Sequence, residues 1–302
     1  MLIETVSESA QIEFAPAPSG AARLGSLSLS QIVVLAALVC SLYGPTLVRL
    51  VVQWWQDPNF SHGFFVPLFS LYVLSRDHRR FARMEPHPSW AGLFLLIFSL
   101  LVLIVGQMGA ELFLARVSLL FVMASLIVLF LGWTFLRAAA FPLGFLILMI
   151  PIPAILFNQI TFPLQLLASR LAAAVLPLLG VPVLREGNVI SLPAITLEVA
   201  EACSGIRSLM SLITLAVIYG FLTEKRLWVR CLLALASVPI AVIANSSRII
   251  GTGLLVQYWN ADAAEGYFHA SWGWITFVIS LLMLYAFHKL IRMLWPEKGE
   301  TS

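Results

Sequence analysis

The sequence predicts an all-α polytopic membrane protein of about eight transmembrane helices, with a short periplasmic interfacial helix and a small β-hairpin-like segment before helix six. Three observations carry this reading. Apolar residues fill 60% of the 302 positions and charged residues only 11%, where a soluble domain carries about 25% charged residues. The apolar runs are mostly long enough for a helix to cross a hydrocarbon layer about 30 Å thick. They are also too continuous for barrel strands, and in lipid a helix pairs all of its own backbone polar groups.

The elements follow in order. Residues 1–28 hold Glu4, Glu8, Glu13, Pro16 and Pro18 with Arg23 alone for basic charge. They lack the basic start and apolar stretch of a signal peptide and read as a disordered cytoplasmic tail. The membrane region is expected over residues 29–288, with a polar, basic tail at 289–302. Span one is expected at Leu29–Leu50, and a polar turn from Gln56 to Gly63 leads to a short span two ending near Leu74. The basic stretch Arg76–Arg83 follows, then spans three (Trp90–Val105) and four (Leu112–Leu131). Span five, Ala138–Phe157, carries Pro142, Pro151 and Pro153 and is expected to kink. Gln165, Ser169 and Arg170 share one side of the apolar stretch Thr161–Leu179, which suggests a helix lying in the interface. In Val181–Val199, Arg185-Glu186-Gly187-Asn188 sits between β-favouring residues and suggests a hairpin. Spans six, seven and eight are expected at Ile206–Leu222, Trp228–Ala244 and Trp272–Phe287.

Basic residues set the orientation. Arg23, the four arginines of 76–83, Arg137, Lys225, Arg226, Arg230, Lys289, Arg292 and Lys298 fall on one side; Arg49, Arg116, Arg170, Arg185, Arg207 and Arg248 fall on the other. An excess of Lys and Arg marks the cytoplasmic face, so both termini are expected there. The turn at His62, the 160–205 stretch and the 255–270 loop then face outward together. A net charge of +3, scattered in short clusters, gives no footprint for nucleic acid. Three cysteines cannot all pair with one another; Cys40 and Cys231, inside apolar runs, are expected as small buried side chains. The histidines are split across both faces and form no metal set, and no glycine-rich phosphate cradle occurs, so no cofactor is expected.

Three short segments could carry chemistry. In Glu201-Ala202-Cys203-Ser204-Gly205-Ile206-Arg207-Ser208, a thiol stands where an extended segment enters helix six. A helix N-terminus and the cation of Arg207 both favour thiolate over thiol. The same segment also reads as a helix cap that happens to contain a cysteine. Arg248, in Asn245-Ser246-Ser247-Arg248, needs an anion, water or a substrate carbonyl, or else snorkels to a headgroup phosphate. His269, beside Tyr267, Phe268, Trp272 and Trp274, reads by itself as a satisfied polar group. Together the odds shift, because Cys203, Arg248 and His269 stand at the outer ends of consecutive spans, and consecutive helices usually pack as neighbours. Thiol, imidazole and guanidinium are the parts of nucleophilic acyl transfer. Arg207, His62 and Glu201 are assigned to substrate binding around them.

These residues resemble the exosortases, membrane-embedded cysteine transpeptidases of the exosortase/archaeosortase family. The likeness rests on Glu201–Leu209, on Asn245-Ser246-Ser247-Arg248-Ile249, on His269 with Gly273, and on Phe60-Ser61-His62-Gly63, and it spans about residues 54–288. The resemblance implies Cys203, Arg248 and His269 as catalytic residues. It implies as substrate a C-terminal sorting signal of exported proteins: a Pro-Glu-Pro-type motif, a membrane helix and basic residues. Cleavage near that motif would leave a thioester on the enzyme, which an unidentified acceptor linked to export or exopolysaccharide resolves. Archaeal relatives are expected to carry Arg where this chain has His269, so the resemblance implies a bacterial inner-membrane protein with its site on the periplasmic side. The competing readings are a polytopic transporter and a non-catalytic component of exopolysaccharide export.

Overall fold

The computed structural model describes residues 28–109, 112–193, 195–198, 205–259 and 267–296. Helix α1 (Leu29–Gln56) opens on a capping box in which the Ser28 Oγ accepts from Gln31 N and the Gln31 side chain accepts from Ser28 N. It ends where Asp57 precedes Pro58, and Asp57 then caps a 3₁₀ turn, Pro58–Phe64. Helices α2 (Phe65–Arg76) and α3 (His78–Ala82) follow, then the pair α4 (Ala91–Met108) and α5 (Leu112–Phe130). Close packing of that pair is built on bare backbone: a Cβ on Gly92 would fall on the Leu129 backbone and one on Gly106 on that of Ala115.

Short helices α6 (Trp133–Ala138) and α7 (Ala140–Phe145), a 3₁₀ turn (Leu146–Met149) and the Ile150–Pro153 break lead into α8 (Ala154–Val175). The expected kink of span five is thus a full interruption. Three side chains take up carbonyls in this broken stretch: Ser70 Oγ donates to Pro142 O, His62 Nε2 to Leu148 O, and Trp54 Nε1 to Met149 O, at 2.9, 3.2 and 2.9 Å. Such repair is what lets a proline-broken helix persist in lipid.

Helix α8 occupies the stretch expected as an interfacial helix. With the 3₁₀ turn Leu176–Leu179 it makes one apolar segment of 26 residues, long enough to cross a bilayer. It lies along α10 (Leu227–Tyr258). Thr161 and Gln165 line a crevice with Ala241 and Asn245, a Cβ on Gly253 would meet Leu176, and the Tyr258 hydroxyl donates to Leu179 O. The sequence interval within each pair is nearly constant, so α8 and α10 run parallel. The polar side of α8 faces protein: Ser169 is fully buried and donates to Gly187 O at 3.0 Å, while Arg170 alone of the three is exposed.

The segment read as a hairpin is a three-stranded antiparallel sheet of β1 (Leu184–Glu186), β2 (Val189–Ser191) and β3 (Thr196–Glu198). Gly187, at φ 64°, makes the tight β1–β2 turn. Ile190, Leu192 and Leu197 pack with Ala168 and Ala172 of α8, with Leu176 of the 3₁₀ turn after it, and with Val242 and Ile249 of α10, so the sheet is seated on those helices. Helices α9 (Gly205–Thr223) and α11 (Tyr267–Leu294) complete the chain.

Six described helices are long and apolar enough to span a membrane, and two shorter apolar helical stretches occur at 140–149 and 208–223. Polarity is inverted relative to a soluble protein. Ser99, Ser118, Ser125 and Ser237 are fully buried, whereas Phe94, Leu38, Leu235 and Trp274 are exposed. Cys40 and Cys231 also lie exposed on this apolar exterior, not buried as expected, because these helix faces meet lipid and not a core. The tail expected at 1–28 lies, up to residue 27, outside the described residues, and the tail expected from residue 289 continues α11 as far as Leu294.

Candidate active site

Helices α9, α10 and α11 set the geometry. A Cβ on Gly220 would meet the Arg230 Cα at 3.4 Å, and Leu209 shares a crevice with Ala241, so α9 runs antiparallel to α10. At one end of α11, Arg226 Nη1 donates to Trp295 O at 2.7 Å; towards the other, a Cβ on Gly273 would lie 3.8 Å from the Arg248 Cζ. These pairs also fix an antiparallel register. At 1.5 Å per residue, the start of α9 at Gly205 stands level with about residue 245 of α10, and position 269 with about residue 252. The start of α9, Arg248 and position 269 therefore fall within roughly 10 Å along the helix axes.

Arg248 is buried, with 7% of its surface exposed. Its guanidinium lies against the bare α11 backbone at Gly273, and helical periodicity puts position 269 on that same face, one turn nearer the helix start. The two serines beside it turn inward on their own helix: Ser246 Oγ donates to Val242 O and Ser247 Oγ to Ile243 O. Asn245 and Arg248 are left as the polar groups this segment offers to its neighbours.

The depth of the site follows from aromatic residues. Trp228 and Trp295 meet edge to face at 6.0 Å, with the Arg226 guanidinium 5.6 Å above Trp228, and both indoles are about half exposed. Paired exposed tryptophans beside arginine mark a membrane interface. Arg248 is twenty residues further along α10, about 30 Å, which is one hydrocarbon thickness. Trp274, 73% exposed, stands at nearly the same height on α11 and suits the opposite interface. Arg248 thus lies at one rim and the Arg226 cluster at the other.

Not every expected residue gathers here. His62 is buried, and its Nε2 is engaged by Leu148 O. Phe60, beside it, contacts Phe157 of α8 at 5.7 Å. The α8–α10 register sets Phe157 level with about residue 237, so the turn stands roughly 16 Å below Arg248 along the axis. The structure therefore does not bring His62 to Arg248. Glu201 and Cys203 lie outside the described residues, as do Asp262 and Glu265 of the expected 255–270 loop; Arg207 and His269 are described by helix position alone. No group of three or more metal-ligating side chains occurs among the described residues. Asn245, which the sequence offers only as part of the Asn245–Ile249 motif, lines the crevice between α8 and α10. Its signal was a carboxamide one helical turn ahead of an arginine in an otherwise apolar run.

The family model described as transmembrane exosortase (Exosortase_EpsH) matches residues 54–286, most of the chain. The protein belongs to the transmembrane exosortase family. No curated protein and no solved structure matches it. The matched region of this exosortase begins at Trp54, the residue that caps the broken helix, and ends within α11. It therefore takes in the broken helix, the sheet and all three helices that frame Arg248.

Proposed function

We propose that this exosortase is a thiol transpeptidase that cleaves C-terminal sorting signals of exported proteins, with Cys203 as nucleophile, His269 as its base and Arg248 as the group that steadies the developing oxyanion. The observation that carries the reading is the seat of the Arg248 guanidinium on α11, one turn from position 269 and level with the start of α9. Cys203 is two residues ahead of that start in sequence. His269 takes the thiol proton, and the thiolate attacks the substrate carbonyl. The C–N bond breaks, the amine leaves with the proton from the imidazolium, and a thioester remains on Cys203. An acceptor nucleophile then gives its proton to His269 as it bonds to the acyl carbon, the C–S bond breaks, and the thiolate of Cys203 is restored. Arg207 and Glu201 are proposed to act on the substrate near the thiol, and His62 at longer range, through the broken helix it supports.

The count of eight crossings stands within this proposal, with 140–179 acting as one broken path. One membrane domain over 29–288 carries the activity, flanked by cytoplasmic tails. The protein sits in the bacterial inner membrane with its site on the periplasmic side, where the basic tail of a secreted substrate would remain cytoplasmic. A transporter would use the break in 140–153 as part of a path, but Trp54, His62 and Ser70 fill hydrogen bonds there. The test is intact mass spectrometry of the purified protein incubated with a sorting-signal peptide. A substrate-sized adduct on Cys203, absent in Cys203→Ala, is expected. Equal turnover by Cys203→Ala would end the proposal.

A further inference from the structure

Between α8 and α10, just below Arg248, a crevice is lined by Thr161 and Gln165 on one wall, Ala241 and Asn245 on the other, and Leu209 of α9. Its cavity volume is about 20 Å³. The Asn245 Oδ1 is buried and has no hydrogen-bond partner among the described residues. At this depth such an atom carries a desolvation cost unless something donates to it. Asn245 precedes Arg248 by three residues, so it stands less than one helical turn further into the membrane.

We infer that Asn245, faced by Gln165, is a substrate-positioning residue that hydrogen-bonds the main chain of an extended peptide segment next to the scissile bond. The inference rests on the transpeptidase reading and names the part of the substrate that this exosortase holds. A carboxamide presents a C=O and an NH₂ with the polarity of a peptide group, so it pairs with a main-chain N–H, a C=O or both. A helix crossing the membrane has those groups already paired, whereas an extended segment must find partners for them. The crevice admits the tip of one peptide group, or one water, but no lipid headgroup or side chain. Leu164, Leu209, Ala241 and Val242 make the rest of its lining apolar. A peptide so held lies alongside Arg248, which orients its carbonyl for attack.

The experiment uses the full-length protein in detergent and synthetic sorting-signal peptides in which single backbone amides are replaced by esters, read as the rate of adduct formation on Cys203. One ester position is expected to slow wild type roughly tenfold, since the replacement removes an N–H from a buried acceptor. Asn245→Leu is expected to slow the all-amide peptide by a similar factor and to lose no further rate with that ester. Asn245→Ala provides a second variant should Asn245→Leu fail to fold, with the same expected loss of ester sensitivity. Full wild-type rates in both variants overturn the inference and leave the transpeptidase reading intact. So does an ester effect of undiminished size in both, which would mean that a water alone occupies the crevice. Absence of any adduct in wild type overturns both readings together.

Discussion

Arg248 shows how much one side chain owes to a residue with none. Gly273 leaves room for the guanidinium to lie against α11, with an added Cβ at ordinary contact distance. Gly273→Ala is therefore expected to form the Cys203 adduct within about threefold of wild type. Gly273→Leu projects into the guanidinium and is expected to slow it at least roughly tenfold while the protein stays folded, because small displacements of an orienting group are costly in rate. A leucine variant running at wild-type rate would show that this seat is dispensable. At this scale Arg248 was legible in sequence, as a permanent charge in an apolar run. The use of Gly273 was not, since a glycine in a membrane helix announces close approach without naming what approaches.

Helix boundaries show where hydropathy misleads. Asn245-Ser246-Ser247-Arg248 reads as the end of span seven, yet α10 continues to Tyr258 because both serines bond their own helix and leave its ladder intact. Likewise the polar side of α8 reads as solvated, yet Ser169 on it is buried against Gly187 in the turn of the sheet. The loop joining α9 to α10 holds a second such internal contact, far from the site. Glu224 there is buried, paired with Arg226 at 3.1 Å and with the His288 ring at 3.5 Å, and the Tyr219 hydroxyl meets the other ring nitrogen at 2.8 Å. The Arg226 guanidinium, aided by the backbone N–H groups of Lys225 and Arg226, lowers the Glu224 carboxyl from 4.5 to about 2. A depressed carboxylate stabilises the fold in full above its unfolded value and ceases to as pH falls through its folded one. The thermal midpoint of wild type in detergent is thus expected to drop more steeply between pH 4.5 and 2 than that of Glu224→Gln. Parallel curves would remove this clamp from the account of how α9, α10 and α11 are held together.

For the molecule as a whole, composition was enough to read a polytopic helical protein, because lipid reverses which residues face outward and leaves helices as the repeating unit. What composition leaves open is how the halves are staggered, and there the proline break matters. The turn at His62 and the Arg248 rim, expected at one height, are separated because α8 carries the chain onward past the break before the sheet turns it back to α9. Orientation across the bilayer rests on the basic residues, and it assigns the sheet and the 76–83 stretch to opposite sides. Glu186 and Arg79 are both exposed. In a Cys40→Ala, Cys203→Ala, Cys231→Ala background, Glu186→Cys is expected to react with a membrane-impermeant maleimide in spheroplasts, and Arg79→Cys only after lysis. Labelling in the opposite pattern would put Arg248 on the cytoplasmic rim, where no exported protein presents its signal after translocation. Under the transpeptidase proposal, a thiol there would have to act on a different class of substrate, because the side of the membrane decides whose carbonyl it can reach.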